Sequence, residues 1–246
     1  MTLLLDIGNT RIKWTRLEGG RLGPLQAASH VEEDLGGVLQ RVFDGPKPER
    51  VLASNVAGPL IASALVELCT ERFRLRPEFL IPAPEAHGVV NGYVDPARLG
   101  ADRWAAVIGA FHRFGGPACV IDAGTAITVD AVTKEGRHLG GLIAPGPQTM
   151  RRALAGATAA LRDNGEGEFA LLCRDTRSAI GSGGWHTAAG FLERIHQLVG
   201  KELGKGTRFL LTGGDAERLD ELLPGRYTLC PDLVLQGLAV VAGAKP

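Results

Sequence analysis

Leu4-Leu5-Asp6-Ile7-Gly8-Asn9-Thr10 and Val120-Ile121-Asp122-Ala123-Gly124-Thr125-Ala126 follow one pattern: an apolar run closed by Asp-x-Gly, with Thr immediately beyond. The step from Asp6 to Asp122 is 116 residues, and the same step carries Gly20-Arg21 onto Gly136-Arg137. The chain is internally duplicated. An apolar run ending in Asp-x-Gly reads as a buried strand with a carboxylate at its exposed end, entering a tight turn that Gly permits. One such turn is equally a plain hairpin. Two in register predict a shared cleft, in which backbone N–H groups and Thr hydroxyls meet phosphate oxygens and the carboxylates hold a cation.

The 246 residues suffice for one large or two ordinary domains with buried cores. Lys and Arg number 27, Asp and Glu 27, so the net charge is zero. Neither a nucleic-acid footprint nor a polybasic membrane patch is visible. Cys69, Cys119, Cys173 and Cys230 are far apart and form no C-x-x-C pair, which predicts free thiols in a reducing compartment. The N-terminal strand carries an Asp and no basic leader, and the run Leu233 to Ala244 is too short to span a bilayer. A cytoplasmic protein with no membrane partner is expected.

Periodicity predicts β-β-β-α-β-α-β-α twice. In the first copy, strands are expected at 2–8, 11–17 and 21–28, a helix at 31–43, a strand at 50–55, a helix at 59–73 and a strand at 78–81. In the second, strands at 117–122, 126–132 and 137–143 precede helices after Pro147 and Ser178, a strand at 207–211, and helical segments at 215–223 and 232–243. The second copy's Thr212-Gly213-Gly214-Asp215 either lets backbone approach a flat group such as adenosine or caps a helix with Asp215, and the two are compatible. Gly165-Glu166-Gly167 and Gly181 to Gly184 read as surface loops.

Between the copies, Asn91-Gly92-Tyr93, Pro96 and Leu99-Gly100-Ala101-Asp102-Arg103-Trp104 open a helix running to about Phe114. Asp102 in the first turn is suited to the helix dipole. It is equally suited to take the proton of an attacking hydroxyl, with Arg103 beside it as an anion clamp.

These segments together resemble the type III pantothenate kinases, of the superfamily of acetate and sugar kinases, heat-shock chaperones and actin. Asp6-Ile7-Gly8-Asn9-Thr10-Arg11-Ile12-Lys13 is similar to the family's first phosphate motif, Gly100-Ala101-Asp102-Arg103 to its acceptor motif, and Asp122-Ala123-Gly124-Thr125-Ala126 to its second phosphate motif. Gly140 to Gly146 and Thr176-Arg177-Ser178-Ala179-Ile180 match as well. The resemblance implies an α/β fold of two duplicated ribonuclease H-like domains, βββαβαβα each, with a cleft between them. The domains would be actin-like ATPase domains at 1–114, including the acceptor helix, and 115–246. It implies ATP-dependent phosphorylation of pantothenate to 4'-phosphopantothenate, the first step of coenzyme A biosynthesis. By motif position it implies Asp6 to Lys13 and Thr125 for ATP, and Tyr93, Gly100, Ala101, Asp102, Arg103 and Thr176 for pantothenate. Asp102 would be the proton acceptor, Asp122 the ligand of K⁺ or NH₄⁺, and Asp6 the holder of Mg²⁺ directly or through water. A homodimer with its acceptor pocket near the subunit interface is implied in the same way.

Other chemistries find little support. Gly200 to Thr207 lacks the spacing of a G-x-x-x-x-G-K-[ST] loop and follows a helix. His30, His87, His112, His138, His186 and His196 lack metal-ligand spacing and read as surface or satisfied core residues, and no Ser stands in a G-x-S-x-G elbow. Two alternatives compete: another phosphoryl-transfer or phosphatase activity of the superfamily, and an accessory protein affecting transcription. The Tyr93 and Gly100 to Arg103 segment argues against the first. The absence of a basic helix-turn-helix argues against direct DNA binding.

Overall fold

The computed structural model describes residues 1–157 and 165–244, which form two compact units. The first comprises residues 1–115, 134–140 and 232–244; the second comprises the described parts of 116–133 and 141–231. This differs from the expected cut of 1–114 and 115–246 at residues 134–140 and in the last helix.

The first unit contains β1 (Thr2–Ile7), β2 (Arg11–Glu18), β3 (Arg21–Leu22), β4 (Gln26–Ser29), α1 (Leu35–Val42), β5 (Arg50–Asn55), α2 (Pro59–Phe73), β6 (Glu78–Phe79), β7 (Glu85–Ala86), β8 (Val89–Val90) and α3 (Ala101–Phe114). Its main sheet runs β3-β2-β1-β5-β6, with β4 also on β2. β1 is antiparallel to β2 and parallel to β5, so it is central and buried on both faces, as its continuous apolar run requires. Leu3, Leu5 and Ile7 of β1 with Val51 and Ala53 of β5 pack against Val38 and Val42 of α1 and Leu65 and Cys69 of α2. Leu4, Asp6, Leu52 and Ser54 therefore share the opposite face. The expected strand at 21–28 is two short ones because Pro24, lacking an N–H, interrupts the ladder. The expected helix at 31–43 begins at Leu35, where the Asp34 carboxylate accepts the Gly37 N–H at 2.9 Å as N-cap; Val31 is left exposed.

The second unit repeats the plan with β9 (Ala118–Ala123), β10 (Ala126–Val132), β11 (His138–Pro145, of which residues 138–140 fall in the first unit), α4 (Pro147–Ala157), α5 (Thr176–Leu203), β12 (Arg208–Thr212), α6 (Ala216–Leu222) and β13 (Thr228–Leu229). The sheet order β11-β10-β9-β12-β13 mirrors the first, and the parallel registers coincide: Asp122 lies opposite Thr212 as Asp6 lies opposite Ser54. Ile121, Ile127, Val129 and Leu211 bury against Trp185, Ala188 and Leu192 of α5 and Leu219 of α6.

Gly181 to Gly184 is not a surface loop. It lies inside α5, with Gly181, Ser182 and Gly184 buried. The Gly165-Glu166-Gly167 stretch packs against that helix: a Cβ on Gly181 would stand 2.1 Å from the Glu166 carbonyl, and one on Gly167 2.5 Å from Ser178 Oγ. The Glu168 N–H donates to Ser178 Oγ at 3.0 Å and the Ala170 N–H to Ser182 Oγ at 3.1 Å. Small residues chosen for close approach look, in sequence, like loop residues.

The last helix, α7 (Leu233–Val241), packs with α3 and β1 in the first unit. α3 and α7 meet backbone to backbone. A Cβ on Gly109 would lie 2.7 Å from the Leu233 carbonyl oxygen, and one on Gly237 1.8 Å from that of Ala105.

Candidate active site

In the first unit, Asp6 is nearly buried near the end of β1, in register with Lys13 on β2 and Ser54 on β5. The Gly8 N–H donates to the Arg11 carbonyl at 3.0 Å and closes the turn. His30 braces it from β4's end: its Nε2 donates to the Gly8 carbonyl at 2.8 Å and its backbone N–H to the Thr10 carbonyl at 3.1 Å. Asn55 shapes the neighbouring turn, its Oδ1 accepting the Ala57 N–H and its Nδ2 donating to the Gly58 carbonyl, both at 3.0 Å. Ile7 and Ile12 are core side chains, so only their backbone faces outward chemistry; Asn9 and Arg11 are exposed, Gly8, Thr10 and Lys13 partly so.

In the second unit, Asp122 and the exposed Thr125 occupy the β9–β10 turn, closed by the Gly124 N–H donating to the Ala126 carbonyl at 3.0 Å. This turn is pinned from the start of α4. The Thr125 carbonyl accepts the Gly146 N–H at 3.0 Å and Thr149 Oγ1 at 2.6 Å, and a Cβ on Gly146 would stand 1.9 Å from the Gly124 carbonyl. Gly213, at φ +101°, does bring backbone close to a functional group, and that group is Asp122: a Cβ there would lie 2.5 Å from Asp122 Oδ1 and 2.1 Å from the Ala123 carbonyl. Asp215 stands at the N-cap of α6 with no side-chain cap hydrogen bond, while its N–H donates to the Ala123 carbonyl at 2.9 Å. Close backbone approach accounts for the glycine; side-chain capping does not operate.

The acceptor segment belongs to the first unit. Gly100 is the N-cap of α3, and a Cβ there would stand 2.5 Å from Asp102 Oδ1, so glycine leaves the space into which that carboxylate folds back. Asp102 Oδ1 accepts the Arg103 N–H at 2.7 Å, a charge-assisted bond at the positive end of the helix. Arg103 is only 6 % exposed. Its Nη1 donates to Tyr93 Oη at 2.7 Å, and its guanidinium carbon lies 5.5 Å from the Tyr93 ring centroid. His138 stacks on the other ring partner of this group: its centroid is 6.1 Å from that of Tyr93, the planes 15° apart, and the Gly92 N–H donates to its Nδ1 at 3.4 Å. Gly92 is required there, because a Cβ would meet the His138 carbonyl at 2.0 Å. Asn91 fixes the bend, its Oδ1 accepting the Tyr93 N–H at 3.0 Å.

The structure thus brings Tyr93, Gly100, Ala101, Asp102 and Arg103 together. It gathers Asp6 to Lys13 in one hairpin and Asp122 with Thr125 in another. Thr176 stands apart as the exposed first residue of α5, beside the N-cap Asp175, whose carboxylate accepts the Ser178 N–H at 2.9 Å. Bonds from Ser178 backbone and hydroxyl, with Arg177 nearby, hold the Asp175 carboxyl below its usual range. Sequence reasoning passed over His30 and His138. Neither has a spacing signal, since each partner lies on a different element.

Comparison with known proteins bears on the family and the fold. The family model described as type III pantothenate kinase matches residues 2–198. The type III pantothenate kinase of Nitrosococcus oceani is 39% identical, with 98% of this chain and 94% of that protein covered. That of Azoarcus sp. is 42% identical over 99% of this chain and 91% of its own length. Among solved structures, a Baf family transcriptional activator from Campylobacter jejuni superposes with a TM-score of 0.60 at 21% identity, covering 98% of this chain and 97% of that one. The activator of 2-hydroxyisocaproyl-CoA dehydratase from Clostridium difficile, solved with bound ADPNP, gives 0.52 at 14% identity, covering 99% and 92%. The structural likenesses establish the duplicated α/β fold. The full-length sequence matches establish more: this chain belongs to the type III pantothenate kinase family.

Proposed function

We propose that the protein transfers the γ-phosphoryl group of ATP to the primary hydroxyl of pantothenate, yielding 4'-phosphopantothenate and ADP in the first step of coenzyme A synthesis. The observation that carries this reading is the acceptor cluster: a carboxylate at the glycine-opened start of α3, beside a buried arginine held by a tyrosine hydroxyl. The pantothenate hydroxyl oxygen attacks the γ-phosphorus, the bond to the ADP oxygen breaks, and the hydroxyl proton passes to Asp102. Arg103, with its guanidinium fixed by Tyr93, offers donors to the anionic acceptor. Tyr93, Gly100, Ala101 and Thr176 complete the contacts to pantothenate. Asp6 to Lys13 and Thr125 contact the nucleotide through backbone N–H groups and hydroxyls.

Kinases use ATP with a divalent metal ion, and the donors here suit Mg²⁺. Among the described residues no three His, Cys, Asp or Glu side chains gather as a metal cage. Asp6, a single hard carboxylate, would hold Mg²⁺ directly or through water, and the ion would offset phosphate charge. Asp122, next to carbonyls of its own turn, offers hard oxygens to K⁺ or NH₄⁺. The two units, 1–115 with 134–140 and the last helix, and the described parts of 116–133 and 141–231, are read as actin-like ATPase domains. A homodimer is supported by exposed apolar side chains of the second unit, Leu142, Ile143, Leu154, Leu171 and Leu172, which are 45–87 % exposed. The thiols of Cys69, Cys119, Cys173 and Cys230 form no disulfide, which suits the cytoplasm.

A coupled assay of ADP release with pantothenate, pantetheine and simple sugars as acceptors tests the reading. Pantothenate should support turnover far above the sugars. Equal rates with all acceptors, or none with pantothenate, would overturn it.

A further inference from the structure

Two hydroxyls outside the mechanism above occupy matching places in the duplication. Ser54, 0 % exposed, lies opposite Asp6 across the parallel β1–β5 pair; Thr212, 1 % exposed, lies opposite Asp122 across β9–β12. Residues in register on parallel strands project to the same face with strands about 4.8 Å apart, so each hydroxyl is the lateral neighbour of its aspartate. Neither Ser54 Oγ nor Thr212 Oγ1 has a hydrogen-bond partner within the protein. A buried hydroxyl without a partner costs free energy, typically about 1–3 kcal/mol, and the fold carries that cost twice at equivalent positions. Other unpartnered buried atoms, such as those of Trp104 and Gln236, are not matched across the two copies in this way.

Packing alone does not call for either hydroxyl. Alanine would fill the Ser54 position and valine the Thr212 position with the same shape and no polar atom. Each hydroxyl is one strand spacing from a carboxylate, close enough to share a small ligand with it.

We propose that Ser54 and Thr212 are positioning residues of the two aspartate turns, each hydroxyl hydrogen-bonding the hydration shell of the cation held by its neighbour: a divalent ion at Asp6, a monovalent ion at Asp122. This rests on the kinase reading given above and extends it to two residues. Each hydroxyl both donates and accepts, so it orients one water of a shell against an acceptor-only carboxylate. Its partner arrives with the ligand.

The test uses the full chain with a non-hydrolysable ATP analogue, Mn²⁺ as the divalent probe followed by electron paramagnetic resonance, and thermal unfolding in K⁺ against Na⁺. Ser54→Ala should weaken nucleotide-dependent Mn²⁺ binding about five- to tenfold, the size of one hydrogen bond. Thr212→Val should diminish the K⁺-specific rise in unfolding temperature while Mn²⁺ binding stays near that of the parent, and Thr212→Ser should restore the rise. Without ligands, both hydroxyl deletions should unfold at the parent temperature or above it, because a buried polar atom has been removed. A clear fall in the unliganded unfolding temperature would show that the hydroxyls hold the fold, and overturns the proposal. So does cation binding equal to the parent in both variants. If the parent chain itself binds no Mn²⁺ with nucleotide, the kinase reading falls and this proposal with it; parent binding with unaltered variants removes this proposal alone.

Discussion

In the proposed reaction the hydroxyl proton passes to Asp102. Asp102→Asn keeps the shape at the start of α3 and removes the base, so turnover should drop about 10²- to 10⁴-fold with nucleotide affinity near that of the parent. Steady-state kinetics beside calorimetric nucleotide binding will check this; turnover near normal removes Asp102 from the role. Asp102 was legible because acidic residues at a helix start follow a local rule, and Gly100 because its neighbours in sequence are its neighbours in space. His138 was not. It reaches Tyr93 across 45 positions of chain (138 minus 93), through a ring stack that no local pattern encodes. The same holds for His30, whose bond to the Gly8 carbonyl spans β2, β3 and β4.

The elements show where periodicity succeeds and where it stops. β1, β2, β5, α2 and β9 lie within a residue or so of their expected bounds, because apolar runs and Pro59 mark them locally. α5 was obscured by Gly181, Ser182 and Gly184, small residues that lower helix propensity yet are demanded by the backbone packed on them. The α3–α7 crossing makes a comparable demand. Gly237→Ala forces a methyl to 1.8 Å from the Ala105 carbonyl, so the helices must part; an overpacking cost of about 1–3 kcal/mol should lower the thermal unfolding midpoint by a few degrees. Calorimetry on that variant, with exposed Gly183→Ala as control, checks it, since a Cβ on Gly183 meets nothing within 4 Å. An unchanged midpoint for Gly237→Ala would mean that α7 packs more loosely than described.

For the molecule as a whole, the duplication sets both chemistry and stability. If the paired aspartates divide the ions between them, activity should rise when K⁺ or NH₄⁺ replaces Na⁺ at fixed ionic strength, and Asp122→Asn should blunt that response more than it alters Mg²⁺ dependence. Equal rates in all three salts would leave Asp122 with another task. Alkali probes the second unit and one core thiol of the first. Burial pushes the Cys69 thiol up to about 11; burial, then the charge of Asp130, pushes Cys119 up to about 12. Tyr227 is raised to about 12 by burial first and by Cys119, its hydroxyl donating to the Leu192 carbonyl at 3.1 Å. These groups hold protons more tightly folded than unfolded. Their contribution is complete below the ordinary thiol and phenol values, about 8.5 and 10, and is lost as pH climbs from there toward the folded values. Thermal unfolding should be flat to about pH 8 and decline steadily above about pH 9; a midpoint unchanged at pH 11 would refute it. The repeated motif made the two sheets legible, but nothing in the apolar run of α7 says which sheet it will cover, and it covers the first unit's. A ribosome would therefore release β1 to α3 long before α7, residues 233–241, has been translated, and the part of the first sheet that α3 leaves open must wait for that later helix.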